Sequence, residues 1–220
     1  MEWDWEFVRQ IMPTLLEGAK ITVLATVLGA AVAAVLGLLF AVLRMAAPAP
    51  VARVTSFAVE FIRGTPLLVQ LYFIFYVLPD IGIRLPALLA GVIGLGIHYG
   101  TYAAEVYRAG IENVPRGQWE AAKATNLTER QTWIHVILPQ AIPPMIPALA
   151  NYLIAMFKET PLLSAITVLE LMNQAKSIAN SNYRYIEPMT LVGVFFLIIS
   201  LISVVFLRFL EERYARVEER

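Results

Sequence analysis

Cysteine is absent from this 220-residue chain, which excludes disulfides and thiolate metal sites and leaves the redox compartment open. Charge is sparse at 15% of residues and balanced, with 17 basic and 17 acidic side chains. A net charge of zero makes no case for nucleic-acid binding. The two histidines, His98 and His135, stand too far apart for a local metal motif and read as structural residues. No G-x-x-x-x-G-K-[ST] loop is present, so any nucleotide energy comes from a partner. H-E-x-x-H and G-x-S-x-G are also missing, which leaves a hydrolase without a site. No Gly-Ser linker or internal repeat marks a second domain, so residues 1–220 read as one unit. The start, Met1 to Phe7, is acidic and aromatic, the opposite of a signal peptide's basic opening.

What is abundant is apolar surface: 59% hydrophobic residues and a mean hydropathy of +0.67. Ordinary soluble domains lie well below this. Apolar runs recur at the ~20-residue length that crosses hydrocarbon as a helix. Five spans are expected, at Ile21–Leu43, Phe57–Leu78, Ala87–Val106, Ile137–Phe157 and Met189–Leu210. Residues 1–20 read as an amphipathic interfacial segment, with Trp3, Trp5, Phe7, Met12, Leu15 and Leu16 at headgroup level. In the first span Ala25, Gly29, Ala33, Gly37 and Ala41 recur every four residues, a seam for close helix packing within the subunit or across a pair.

The second span has an irregular start. Glu60 and Arg63 form an i,i+3 charge pair suited to neutralising itself at the interface, and Gly64-Thr65-Pro66 interrupts the helix after it. The fourth span carries Pro139, Pro143, Pro144 and Pro147 and is expected to be irregular in its first half. Leu163–Ala179 reads as a short amphipathic helix, because Glu170, Gln174 and Lys176 interrupt it. The tail reads as a solvated helix end with pairs such as Glu212 and Arg216.

The longest polar, helix-competent stretch is Glu120–Pro139, most of it in a loop of about 110–136 between spans. Pro115 suits a first helical turn, and Gln118–Thr125 are mainly helix formers. Asn126 tolerates a left-handed cap, and Thr128 with Gln131 has capping-box spacing, so two short helices are expected. Ala121 and Ala122 form a small step that another backbone can approach. Such an element serves docking.

The same stretch resembles the EAA loop of bacterial ABC importer permeases: Glu120, Ala121, Ala122, Leu138 and Pro139 match, Val136 replaces isoleucine and Asn126 stands at the glycine position. The run Glu60-Phe-Ile-Arg63-Gly64-Thr65-Pro66-Leu-Leu-Val-Gln70 resembles the signature of polar amino-acid permeases. So does Tyr102 to Gln118, with Glu105, Arg108 and Gly110. Lys158-Glu159-Thr160-Pro161-Leu162 corresponds to the family's K-D-T-S-L motif, with Glu for Asp and Pro for Ser. Asn126–Pro139 and Phe157–Thr167 are most similar to permeases for ectoine and hydroxyectoine.

That resemblance implies an all-α membrane protein of about five transmembrane helices with a cytoplasmic coupling loop, the type I ABC importer permease fold. It implies a transport subunit rather than an enzyme, with no cofactor on this chain and ATP-Mg on partner ATPases. A second permease, identical or paralogous, and an extracytoplasmic solute-binding protein complete the implied assembly in the cytoplasmic (inner) membrane lipid. The solute would be ectoine, hydroxyectoine or another polar amino acid such as arginine, glutamine or histidine. A cyclic zwitterion requires acidic or aromatic groups for its cation and donors for its carboxylate, for which Gln70, Tyr102, Glu105, Glu159 and Thr160 are candidates. An ion-coupled secondary transporter is the competing class: acids such as Glu105 and broken helices suit it, while five spans without a repeated half do not.

With the loop cytoplasmic, the N-terminus is outside and the C-terminus inside. The inner segments then carry ten basic residues, Arg44, Arg53, Arg108, Arg116, Lys123, Arg130, Arg208, Arg213, Arg216 and Arg220. The outer segments carry six, Arg9, Lys20, Arg84, Lys158, Lys176 and Arg184. That balance agrees with the positive-inside rule.

Overall fold

The computed structural model describes residues 3–218, with the side chains of Phe206 and of residues 208–218 left aside. The expected Glu212–Arg216 pair therefore lies outside the described side chains. The described chain is helical throughout: α1 Trp5–Ala46, α2 Ala49–Arg63, α3 Leu67–Tyr72, α4 Ala87–Glu112, α5 Arg116–Ala124, α6 Glu129–Thr132, α7 Leu138–Glu159, α8 Leu171–Asn182 and α9 Ile186–Glu218. By length and composition four stretches suffice to cross a membrane: α1, α4, Glu129–Ile166 and Ile186–Val205. The bent pair Ala49–Arg63 and Leu67–Ile81 makes a fifth if taken as one span.

α1 merges what the sequence divides into an interfacial segment and a span. Its 42 residues run to about 63 Å, twice the hydrocarbon thickness. Asp4 caps it, its carboxylate accepting from the Glu6 and Phe7 amides at 2.9 and 3.1 Å. Phe7, Ile11 and Leu15 do not face headgroups. They are buried against Leu171, Ala175 and Val192 of α8 and α9, so an apolar stripe read as interfacial is core. Trp5 and Leu16 remain exposed. Arg184 closes this end: it pairs with Asp4 at 3.1 Å and with Glu187, and its guanidinium lies 4.7 Å from the Phe7 ring. The Phe7 amide first, and Arg184 next, hold the Asp4 carboxyl below its ordinary range.

The small-residue seam of α1 packs within the subunit, against α4. A Cβ placed on Gly37 would stand 2.7 Å from the Ala103 Cβ and 2.9 Å from the Gly100 carbonyl oxygen. In return, a Cβ on Gly96 would meet Val32 at 2.3 Å. Neither helix tolerates a larger residue at these crossings. The resulting core contains Ala25, Ala33, Leu71, Leu95, Tyr99, Met156 and Leu163.

The second expected span is not a straight helix. It breaks at Gly64–Pro66, and the two arms meet at 104°. Pro66 has no N–H to continue α2, and the freed carbonyls need other donors. Gln70 supplies them: its Nε2 donates to the Ile62 and Thr65 carbonyl oxygens at 2.7 and 2.9 Å.

In α7 the expected irregularity moves upstream. The helix runs unbroken through Pro143, Pro144 and Pro147, and the distortion is a π-turn at Trp133–Ile137 just before it. The wide turn lets the chain enter α7 with Pro139 in the first turn, where its missing N–H costs nothing. Pro139 therefore does not end the helix.

Residues 160–166 form a 3₁₀ turn, and α8 begins only at Leu171. Thr167 takes a left-handed φ of 65°, which separates the two. Glu170 lies outside the α8 helix, as its cap, accepting from the Met172 and Asn173 amides at 2.8 and 2.7 Å. The Leu171 amide donates to the Thr22 hydroxyl at 3.1 Å, tying α8 to α1.

Two predictions follow from this packing. Gly37→Ala should destabilise the folded chain by about 1–3 kcal/mol through overpacking. Val35→Ala, at a 69% exposed position, should not. Thermal unfolding of the purified protein compares them, and equal midpoints would refute the seam. The second concerns Glu170, which is fully buried, and burial pushes its carboxyl up to about 6 from 4.5, against the pull of its two amide partners and Lys176. A raised acid gives its stability below the unfolded value and loses it as pH rises through the folded one. Between pH 4 and 7 the stability of Glu170→Gln should therefore gain on wild type by about 2 kcal/mol. A pH-independent difference would contradict this.

Candidate functional site

Two regions carry polar chemistry, one at each end of the C-terminal half of α4. The first is the helical loop beyond its C-terminus. Val114 ends α4's apolar face and is buried with Ile137, Ala141 and Met145. Trp119 and Trp133 meet edge to face at 5.2 Å between centroids, seating α5 on the π-turn. Ala122 is buried at 3% exposure, so it faces its own chain and not a partner, which corrects half of the expected small-residue step. The exposed small residues of α5 are Gly117, Ala121 and Ala124, beside the exposed carboxylate of Glu120.

Asn126 does take the left-handed conformation, with φ 57°. Its amide donates to the Lys123 carbonyl, and the Leu127 amide donates to the Ala122 carbonyl, closing the two bonds of a Schellman cap. Thr128 and Gln131 form the reciprocal capping box at the start of α6. Pro115 sits at the cap of α5, one position ahead of the first turn. Leu138 is half-buried and Pro139 exposed where α7 leaves the loop, and the Gln140 side chain donates to the Val136 carbonyl at 2.7 Å. α5 is thus an exposed helix on a stiff base.

The second region lies around the middle of α4, where α1, α2 and α3 converge. Glu105 is the common acid. Arg44 from the end of α1 donates to its Oε1 at 2.5 Å and to Ser56 of α2 at 3.1 Å. Arg108 donates twice to its Oε2, at 2.9 and 3.1 Å, and reaches Glu112 at 2.6 Å. Arg63, at the break after α2, stands 3.4 Å from Glu105 and lays its guanidinium 5.1 Å from the Tyr102 ring centre. Among the described residues no ion pair joins Glu60 to Arg63. Arg63 points across the break to α4, while Glu60 is exposed.

Above this network the aromatic rings of His98, Tyr99, Tyr102 and Tyr152 form a continuous group, with centroid separations of 5.2 to 6.0 Å. The Tyr99 hydroxyl donates to Glu159 at 2.8 Å. Gln70 Oε1 lies 3.3 Å from the His98 Nδ1. An apolar cavity of about 300 Å³ between α1, α4 and α7 abuts Tyr99 and Tyr152. The larger groove, of about 1320 Å³, follows the outer apolar face of α1 and is remote from this chemistry.

The five residues singled out for the path do not share one role. Tyr102 is half-buried in the aromatic group, and Glu159 is within reach of it through Tyr99. Gln70 braces the helix break. Glu105 is taken up by arginines. Thr160 is fully buried, with its hydroxyl donating to the Phe157 carbonyl in the last turn of α7 at 2.7 Å. Gly64 ends α2, and its amide donates to the Glu60 carbonyl at 2.9 Å, while the Thr65 hydroxyl donates to the Phe61 carbonyl at 2.7 Å. Gly110 lets α7 approach α4: a Cβ there would lie 2.3 Å from Met145. His98, Tyr99 and Tyr152 escaped the reading of the sequence. The available signal was His98, Tyr99 and Tyr102 clustered in a Gly-rich run, whose polar atoms need partners in an apolar setting.

Comparison with known proteins identifies this arrangement. The model of the family described as the binding-protein-dependent transport system inner membrane component matches residues 33–216. A probable amino-acid ABC transporter permease of Sinorhizobium fredii is 46% identical over 205 residues, covering 93% of this chain and 89% of that protein. The L-cystine transport system permease of Bacillus subtilis is 38% identical, covering 96% and 93% of the two chains. The glutamine transport system permease of Escherichia coli K12 is 38% identical, covering 97% and 98%. A crystal structure of an amino acid ABC transporter with histidines superposes with a TM-score of 0.89 at 37% identity, over 97% of this chain and all of that one. An inward-facing methionine ABC transporter shares the fold, with a TM-score of 0.71 at 21% identity. The chain belongs to the inner-membrane permease family of binding-protein-dependent transport systems, as an amino-acid ABC transporter permease with the type I fold.

Proposed function

We propose that this chain forms the membrane path of an ATP-driven importer for a polar amino acid. Two permeases, identical or paralogous, stand over two ATPases that hold ATP-Mg, and a solute-binding protein delivers the cargo from outside. A closed two-fold or pseudo-two-fold pair gives each ATPase a matching α5. The N-terminus is outside and the C-terminus cytoplasmic, in keeping with the basic residues around the α5 loop.

One observation carries this reading. α4 is a single 26-residue helix that bears the aromatic group at its middle and leads, three residues past its end, into the exposed α5. Movement of an ATPase against α5 therefore reaches Tyr99, Tyr102 and the Glu105 network through one rigid rod. Coupling requires that ATP-driven closure favour one permease conformation over the other, and a shared rod supplies the connection. Tyr102, Glu159 and the groups beside them line the path, while Gln70, Glu105 and Thr160 hold its walls.

Ectoine is replaced here by an amino acid as the favoured cargo. None of the relatives described above is named for ectoine, whereas two are named for cystine and glutamine.

Glu120 is the residue of α5 that meets a donor-rich groove on the ATPase. A hydrogen bond to a charged group contributes about 1.5–3 kcal/mol. Glu120→Lys should reduce the ATPase stimulation given by loaded binding protein in reconstituted vesicles by roughly tenfold or more. Insertion of the chain should be unaffected, because Glu120 lies outside the spans. Ala122→Leu should act differently: it unseats α5 from its own chain and lowers thermal stability as well as coupling. Undiminished stimulation and uptake in Glu120→Lys would make α5 an ordinary surface helix.

A further inference from the structure

The geometry points to Arg63 as the residue that binds the substrate's α-carboxylate within the membrane, exchanging its loose contact with Glu105 for the ligand. This rests on the amino-acid reading above and deepens it. Three guanidinium groups surround Glu105, and they are not held alike. Arg44 makes a 2.5 Å bond to Oε1 and a second bond to Ser56. Arg108 makes a two-bond fork to Oε2 and keeps Glu112 as well. Arg63 comes third, at 3.4 Å from an oxygen already occupied by Arg44. Among the described residues it makes no hydrogen bond, and its side chain is 37% exposed.

The local charge agrees with that ranking. Arg44, Arg63 and Arg108 face two carboxylates, Glu105 and Glu112, so the network holds one cation in excess. A single anion brought beside Arg63 would balance it. A guanidinium presents paired N–H donors that fit a carboxylate's two oxygens, which an ammonium cannot reproduce.

The position of Arg63 also suits an amino acid. It is at the mouth of the helix break at Gly64–Pro66, and it lies against the Tyr102 ring. With the carboxylate on Arg63, the adjacent ammonium falls over the faces of Tyr102 and Tyr152, whose centroids are 5.2 Å apart. Ring faces attract such a cation. The ligand's distal end is then directed toward Tyr99 and Glu159. The Glu105 pairing keeps Arg63 oriented while the path is empty, and it is weak enough to yield.

The test compares amino acids with the same molecules lacking the α-carboxylate: L-glutamine with 4-aminobutanamide, L-histidine with histamine, and L-arginine with agmatine. Binding is measured by calorimetry to the permease–ATPase assembly in nanodiscs without the solute-binding protein, which removes that protein's own carboxylate recognition. Uptake by the complete importer is measured alongside. Wild type should bind the transported amino acid about 10- to 100-fold more tightly than its decarboxylated partner. Arg63→Gln should collapse that ratio toward one by weakening only the amino acid, and Arg63→Lys should give an intermediate ratio. A ratio does not depend on the fraction of folded protein, so a structural defect alone leaves it in place.

Equal weakening of both ligands, an unchanged ratio, or uptake without any wild-type preference for the carboxylate would each overturn the assignment while leaving the importer reading intact. Absence of wild-type uptake for every amino acid tested would instead overturn the amino-acid reading, and this assignment with it.

Discussion

The close approach of α1 and α4 is the contact on which the other elements depend. In hydrocarbon the hydrophobic effect gives helices no reason to prefer one another over lipid, so association rests on shape and on hydrogen bonds. Gly37 on one helix and Gly96 on the other bring the two together where an added Cβ would collide, and Gly29 and Gly100 leave only tight contacts. That contact places α4 at the centre of the subunit. Once α4 is fixed, its free faces meet the α2–α3 break, α7 and the charge network around Glu105. α8 is added by a similar device, since a Cβ on Gly18 would lie 2.9 Å from the Leu171 backbone.

Several polar side chains answer the ends and breaks of the helices, because membrane helices are costly to interrupt. Each break frees backbone groups, and each is answered by a nearby side chain. Gln70 serves the carbonyls exposed at Gly64–Pro66. Gln140 serves the π-turn, and Glu170 serves the open amides of α8. A break sealed in this way can expose a charged or aromatic group at depth without collapsing. Arg63 and Tyr102 come together at the break in α2–α3.

Local signals in the sequence translated well where the physics is local. Asn126 as a left-handed cap and Thr128 with Gln131 as a capping box involve neighbours within a few residues, and both are present. The four-residue seam of α1 was equally plain, although its partner was not, since the sequence alone cannot say which helix faces Gly37. Non-local pairings stayed hidden. Arg63 has an acid three residues away and takes another 42 positions along, because the turn after α2 swings it toward α4. Phe7 and Leu15 look interfacial by composition and are core, for their cover comes from α8 and α9. Ala122 faces inward for a similar reason: Trp119 and Trp133 fix the roll of α5. The helices of the α5–α6 loop could be read from local signals, whereas the group of His98, Tyr99, Tyr102 and Tyr152 requires α7 to supply one ring across α4.

The charge network explains why α4 can act as a rod rather than a loose helix. A carboxylate away from bulk water is unfavourable alone, and removing one partner of such a pair is more damaging than never having formed it. Glu105 draws guanidinium groups from α1 and α2 onto α4, with Arg108 and Glu112 extending the same line toward α5. A displacement of α5 therefore cannot be absorbed by sliding α4 alone, because the ends of α1 and α2 are tied to it. The break at Gly64–Pro66 interrupts the helix at the edge of this set, and Gln70 bridges it. Arg63 and the Tyr102 ring stand beside that break. The least firmly bound charge of the network thus stands beside a break in the helix.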